Sequence, residues 1–156
     1  MKLGIGDSAF PPDWPLEKIF GEAREIGFDG VELWLTEDGA VNLDSTKEDM
    51  QEVKTLADKY GIELYSLASG LYWNYSLTAS DCAVRAKAKA IVKKQLELAH
   101  YLGCDTILVV PGCVGVDFIP GSEVVDYEIA YDRAVEWVDE LKSYAEKWKV
   151  SIGIEN

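Results

Sequence analysis

The sequence predicts an α/β fold of parallel strands joined by helical crossovers, laid out as the first five strands of a (β/α)₈ (TIM) barrel. Three features carry that prediction: four helix-to-strand joints of one pattern, unbroken alternation of the two element types, and strands with one aliphatic and one small or polar face. Alternation of this kind requires parallel strands and right-handed crossovers.

The first three joints share a glycine between helix and strand: Gly27-Phe28-Asp29-Gly30-Val31-Glu32-Leu33-Trp34, Gly61-Ile62-Glu63-Leu64-Tyr65, and Gly103-Cys104-Asp105-Thr106-Ile107-Leu108-Val109-Val110. Glycine suits the left-handed residue that ends a helix, a conformation costly for other residues. The fourth joint, Trp148-Lys149-Val150-Ser151-Ile152-Gly153-Ile154-Glu155, keeps the rhythm without that glycine. With Leu3-Gly4-Ile5-Gly6 at the start, five strands alternate with four helices.

Apolar residues at three- and four-residue steps define the helices. The first carries Leu16, Ile19, Phe20, Ala23 and Ile26, with Pro15 suited to its first turn. Ser45 and Glu48 read as a capping box for the second, whose face is Val53, Leu56, Ala57 and Tyr60. The third carries Val84, Ala88, Ile91, Gln95, Leu98 and Leu102, and the fourth Tyr131, Ala134, Val138, Leu141, Ala145 and Trp148.

Two architectures accept this order. A flavodoxin-like open sheet fits a chain of 156 residues as it stands. A full barrel needs about 250 residues, so residues 1–156 would then be one domain forming its N-terminal half. The strand faces favour the barrel. Val150, Ile152 and Ile154 oppose Ser151, Gly153 and Glu155; Val31 and Leu33 oppose Gly30, Glu32 and Trp34; Leu3 and Ile5 oppose Gly4, Gly6 and Ser8. A central strand of a doubly wound sheet is apolar on both faces, and only Thr106 to Val110 reads so, the third strand being ambiguous. The first strand also runs into Gly6-Asp7-Ser8-Ala9-Phe10-Pro11-Pro12 rather than a phosphate-binding loop. A phospho-receiver using Asp7 would want an acid after the third strand, where Ser66 to Ser69 stand, and a lysine after the fifth.

Composition bounds the partners. A net charge of −13 opposes nucleic acid and anionic membrane, both polyanions. A hydrophobic content of 48% supplies a core. No apolar run approaches the ~20 residues of a membrane span. Cys82, Cys104 and Cys113 lack ligand spacing, which fits a reducing compartment, and the start shows no secretory leader; the expectation is a cytoplasmic protein.

Gly27-Phe28-Asp29-Gly30-Val31-Glu32-Leu33, the Pro111-Gly112 exit from the fourth strand, and Ile152-Gly153-Ile154-Glu155-Asn156 together resemble the xylose isomerase-like barrels. That family includes sugar and sugar-phosphate isomerases and epimerases and the type IV abasic-site endonucleases. The resemblance runs through the chain but covers only the first half of such a barrel. It implies that Glu155 is both a ligand of a divalent metal (Mn, Mg, Co or Zn) and a proton-transferring base. Its partners would come from later strands, so the metal is expected only with the complete barrel, and this chain alone is expected to be inactive. The implied substrate is a small sugar or sugar phosphate, epimerised or isomerised through an enediolate. A repair endonuclease and a self-contained flavodoxin-like binding or signalling module are the alternatives.

Around Glu155, the inner face offers Glu32 and Trp34 as substrate contacts, with Trp14 in the first βα connection. Trp73 lies beside the third connection; aromatic walls there suit the apolar face of a sugar, and Asn156 follows the metal ligand. Trp137 and Trp148 have core spacing, and His100, near the end of a long helix, is expected to pack. Asp117, Glu123 and Asp126 read as a solvated loop. Half a barrel would leave open strand edges and a bare inner face, so association, as a homo-oligomer, is expected.

Overall fold

The computed structural model describes residues 1–155; Asn156 lies outside the described residues. The elements run β1 (Gly4–Gly6), α1 (Leu16–Ile26), β2 (Gly30–Leu35), α2 (Lys47–Tyr60), β3 (Glu63–Ser69), α3 (Cys82–Leu102), β4 (Thr106–Val109), α4 (Tyr127–Trp148) and β5 (Ser151–Ile154). Short 3₁₀ turns at Asp7–Ala9 and Leu71–Trp73 follow β1 and β3.

All five strands are parallel, and they lie in the order β1-β2-β3-β4-β5. Consecutive order decides between the two architectures. Right-handed crossovers that always advance in one direction put every helix on the same face. A flavodoxin-like sheet must instead reverse at a switch point, so that alternative falls. The helix-covered face holds Val31, Leu33, Leu35, Leu67, Ile107 and Val109, all fully buried. Ile19 and Phe20 of α1, Met50 and Ala57 of α2, Ile91 and Leu98 of α3, and Trp137 and Leu141 of α4 pack in the same cluster.

Helix ends follow local chemistry. Gly27, Gly61 and Gly103 all take the left-handed conformation after α1, α2 and α3. Lys149 takes it after α4 with φ 56°, a strained position for a residue with a Cβ. The capping box of α2 is one residue later than Ser45/Glu48. Thr46 Oγ1 accepts from the Asp49 N–H at 3.2 Å, and Asp49 Oδ2 accepts from the Thr46 N–H at 2.7 Å. Ser45 is turned inward, where its hydroxyl accepts the Asn42 N–H, and so cannot cap.

Three apolar assignments also move. Leu3 precedes β1 and Ile26 ends α1, and both are exposed rather than core. On α4, the covered face is Ala130, Trp137 and Leu141, while Tyr131 and Val138 lie outward with Tyr127 and Val135. Two apolar stripes are interleaved on that helix, and periodicity alone cannot say which one meets the sheet.

Gln95 of α3 is wholly buried for a specific reason. Only Leu67 and Ile107 are in ladder register between β3 and β4, which leaves carbonyls there without strand partners. Gln95 Nε2 donates to the Leu67 carbonyl at 2.6 Å and the Leu108 carbonyl at 3.1 Å. Its Oε1 accepts the Tyr72 hydroxyl, so every group in the cluster is satisfied.

Candidate functional site

The uncovered face of the sheet is built in layers. At the bottom, the Tyr65 ring lies across β1 and β2. A Cβ on Gly4 would come within 2.7 Å of that ring, and one on Gly30 within 2.5 Å. Glycine at both positions is therefore a space requirement. Tyr65 reaches this face through a β-bulge: the β2–β3 register shifts between Val31 and Glu32, pairing Leu64 and then Ser66. The extra residue puts Tyr65 and Ser66 on the same side, which is why strict alternation left β3 ambiguous.

In the next layer, Glu32 accepts a hydrogen bond from the Ser66 hydroxyl at 2.5 Å. Above it, the Trp34 indole spans from the end of β1 to the turn after β3. A Cβ on Gly6 would stand 3.8 Å from its Nε1, and one on Gly70 only 2.9 Å from its Cζ3. The Trp34 N–H donates to Asp7 Oδ2 at 3.1 Å, joining the strand end to the 3₁₀ turn after β1. Burial raises the Asp7 carboxyl above its ordinary value, and the nearby Glu32 charge adds to this; bonds from the Trp34 and Ser8 N–H groups pull the other way.

Glu155 follows β5 directly, exposed, its N–H donating to the Val109 carbonyl at 3.1 Å. The β4–β5 register pairs Thr106 with Ser151 and Leu108 with Gly153. Strand alternation then puts Glu155 on the same face as Gly153, the face of Glu32 and Trp34. Glu32 and Glu155 thus share a surface but stand on strands separated by β3 and β4.

Trp14 occupies a different position. It stacks on Phe10 with centroids 6.0 Å apart, and Lys18 Nζ lies 3.6 Å over its ring. Trp73 lies beside Gly70 and meets Phe118 of the β4–α4 loop. Trp137 is fully buried, donating to the Pro111 carbonyl at 2.9 Å, and Trp148 packs with Tyr101 and His100 at the helix ends. Gly112 has φ 139° and lies so close to Thr78 that a Cβ would collide at 2.2 Å, which gives the Pro111-Gly112 pair its steric reason. Of the loop acids, Asp126 caps α4 and Glu123 accepts the Ser80 N–H; Asp117 is exposed.

Sequence reasoning missed Asp7 as part of this site, Ser66 as the partner of Glu32, and Phe118. Asp7 had a usable signal, since it is a polar residue just past the mouth end of β1; Ser66 lies mid-strand beyond the Tyr65 bulge, where alternation gives the wrong face. Phe118 had none, because it sits within a long loop.

Glu155 supplies a hard oxygen donor of the type divalent ions take. Among the described residues, however, no three His, Cys, Asp or Glu side chains gather to hold an ion. No helix among them is long and apolar enough to cross a membrane.

A parallel sheet with consecutive strand order, helices on one face and polar groups at the carboxyl ends of strands on the other defines a segment of a (β/α) barrel. The chain belongs to the xylose isomerase-like TIM barrel family, whose model matches residues 20–156. It is 25% identical over 134 residues to a fructoselysine 3-epimerase of Shigella flexneri, covering 85% of this chain and 46% of that protein. It is 27% identical over 107 residues to an L-ribulose-5-phosphate 3-epimerase of Salmonella heidelberg, covering 67% of this chain and 38% of that one. A crystal structure of D-psicose 3-epimerase in the presence of D-fructose superposes with a TM-score of 0.80 at 23% identity, over 99% of this chain and 52% of that one. The relatives are sugar epimerases, and the chain spans at most about half their length.

Proposed function

We propose that residues 1–156 form one domain, the β1–β5 part of a barrel enzyme that epimerises a ketose or ketose phosphate, and that Glu155 is its proton-transferring base. The observation that carries this reading is the position of Glu155. It is a carboxylate at the carboxyl end of β5, on the face shared with Glu32 and Trp34, in a family whose similar members are sugar epimerases.

The chemistry needs a base beside a carbon that adjoins a carbonyl. Glu155 takes the proton from that carbon, and a second carboxylate, from outside this chain, returns one on the opposite face, inverting the centre. Glu155 would give a divalent ion one ligand, with residues outside this chain giving the others, and such an ion would supply positive charge beside the carbonyl oxygen. Glu32, fixed by Ser66, hydrogen-bonds sugar hydroxyls, while Trp34 covers the apolar face of the sugar ring or chain. Trp14, with its ring engaged by Phe10 and Lys18, shapes the rim.

The test is ketose turnover by the complete barrel, by the chain of residues 1–156, and by the complete barrel carrying Glu155→Gln. Activity is expected only for the first, with the substitution lowering kcat by about 10²-fold or more. Wild-type turnover in the Glu155→Gln enzyme would remove the assigned role.

A further inference from the structure

The aromatic surface continues past Trp34. Trp73, at the end of the turn after β3, and Phe118, in the β4–α4 loop, meet edge to face with centroids 5.3 Å apart and planes at 75°. A Cβ on Gly70 would touch Trp34 at 2.9 Å and Trp73 at 3.9 Å, so the glycine lets the two indoles share one surface. Trp73 and Phe118 thus form an aromatic pair from the turn after β3 to the β4–α4 loop, with Gly70 between Trp73 and Trp34. Phe118 is 70% exposed and Trp73 38%.

An exposed aromatic on a floppy loop would mean little, but these loops are tied. Thr78 Oγ1 accepts the Cys113 N–H and donates to the Cys113 carbonyl, both at 3.0 Å. Glu123 accepts the Ser80 N–H at 2.9 Å, and Arg133 donates to the Thr78 carbonyl at 2.7 Å. The segment that carries Phe118 is closed by Ser122, whose hydroxyl accepts the Val116 N–H and donates to the Val116 carbonyl. Contacts fixed before a ligand arrives cost little ordering entropy on binding.

The chemistry of this extension is C–H-binding rather than anion-binding. Arg85 of α3 and Arg133 of α4 each turn one nitrogen, Nη1, to backbone carbonyls, Arg85 to Ala79 and Ser80 and Arg133 to Thr78. Aromatic faces and edges pack against the C–H faces of sugars and against alkyl chains and give nothing comparable to a phosphate.

We propose that Trp73 and Phe118 form a specificity subsite for a substituent on the ketose, a C–H-rich group such as a second sugar ring, rather than a terminal phosphate. This rests on the epimerase reading above and names the substrate class for the same mouth.

The experiment compares, in the complete barrel, KM values for a free ketose, the same ketose bearing a glycosyl substituent, and its phosphate. Trp73→Ala and Phe118→Ala are each expected to raise the glycosyl-to-free KM ratio about tenfold. Trp73→Phe should restore most of the ratio, and thermal melts should establish that the variants fold. An unchanged ratio in folded Ala variants, or a wild-type enzyme that prefers the phosphate tenfold, would overturn the subsite. Fluorescence titration with the glycosylated ketose separates the two readings. Saturable binding that Trp73→Ala weakens, without turnover of any ketose by wild type, would keep the subsite and discard the epimerase.

Discussion

The two ends of the sheet are finished to different degrees. Across β1 to β3, the inner face is filled by its own residues: Tyr65 over two glycines, its buried hydroxyl unpartnered among the described residues, Glu32 held by Ser66, and Trp34 laid from Gly6 to Gly70 and bonded to Asp7. At β5 the picture reverses. Among the described residues Glu155 has no comparable support, Ile154 is exposed on the helix side, and α4 turns Tyr127, Tyr131, Val135 and Val138 to the outside. The difference teaches where the fold is self-sufficient. The β1–β3 end organises its inner face by itself, whereas the β5 end carries an exposed acid and an apolar flank with nothing against them among the described residues. An uncovered flank of that kind marks a contact surface, and in our account the rest of the barrel covers it.

Stability measurements on the chain can sharpen this contrast. Leu33→Ala, in the covered core, should lower the unfolding free energy by about 2–5 kcal/mol. Val138→Ser, on the uncovered stripe, should change it by no more than about 0.5 kcal/mol. A large loss at Val138 in the isolated chain, seen by urea denaturation, would mean that the stripe is already covered.

Gln95 tests whether the β3–β4 junction depends on its side-chain strut. Gln95→Leu strands the Tyr72 hydroxyl and the Leu67 and Leu108 carbonyls, so a loss of about 1–3 kcal/mol is expected on the same denaturation curve. No loss would show that those groups find other partners.

Asp7 gives a pH test of the finished end. Its folded pKa is raised, so the proton is held more tightly in the folded state than in the unfolded one. The contribution to stability is therefore full below the unfolded value near 3.8 and is lost as pH rises through the folded value. Asp7→Asn keeps an acceptor for the Trp34 N–H and removes the half-buried charge. Melting temperatures should be higher than wild type at pH 7, with the advantage shrinking toward pH 4. An advantage that grows on acidification would contradict the burial argument.

Lys149 carries the smallest effect. Lys149→Gly should stabilise by about 0.5–1 kcal/mol, by relieving the left-handed residue that ends α4. Thermal melts decide it.

Much of this was legible beforehand, for reasons that follow from periodicity. Gly27, Gly61 and Gly103 marked helix ends because left-handed geometry selects glycine, and the aliphatic faces of β2 and β5 pointed to helices on one side only. Glu155 could be placed on the inner face because alternation needs nothing but the strand. What stayed hidden required a third dimension. The Tyr65 bulge breaks alternation, so the inner face of β3 had to be seen. The α4 stripes of Trp137 and Tyr131 are both apolar at helical spacing, and packing alone separates them. Gln95 read as one polar residue on an apolar face, with nothing to announce the carbonyls it serves, and the Trp73–Phe118 pair joins two loops that share no sequence pattern.

The claim at the centre, proton transfer by Glu155, is tested most directly by running the epimerisation in deuterated water and following the inverted carbon by NMR. The complete barrel should place deuterium at that carbon, and both the chain of residues 1–156 and the complete barrel with Glu155→Gln should place essentially none. Deuterium entering at the wild-type rate in the Glu155→Gln enzyme would contradict the account.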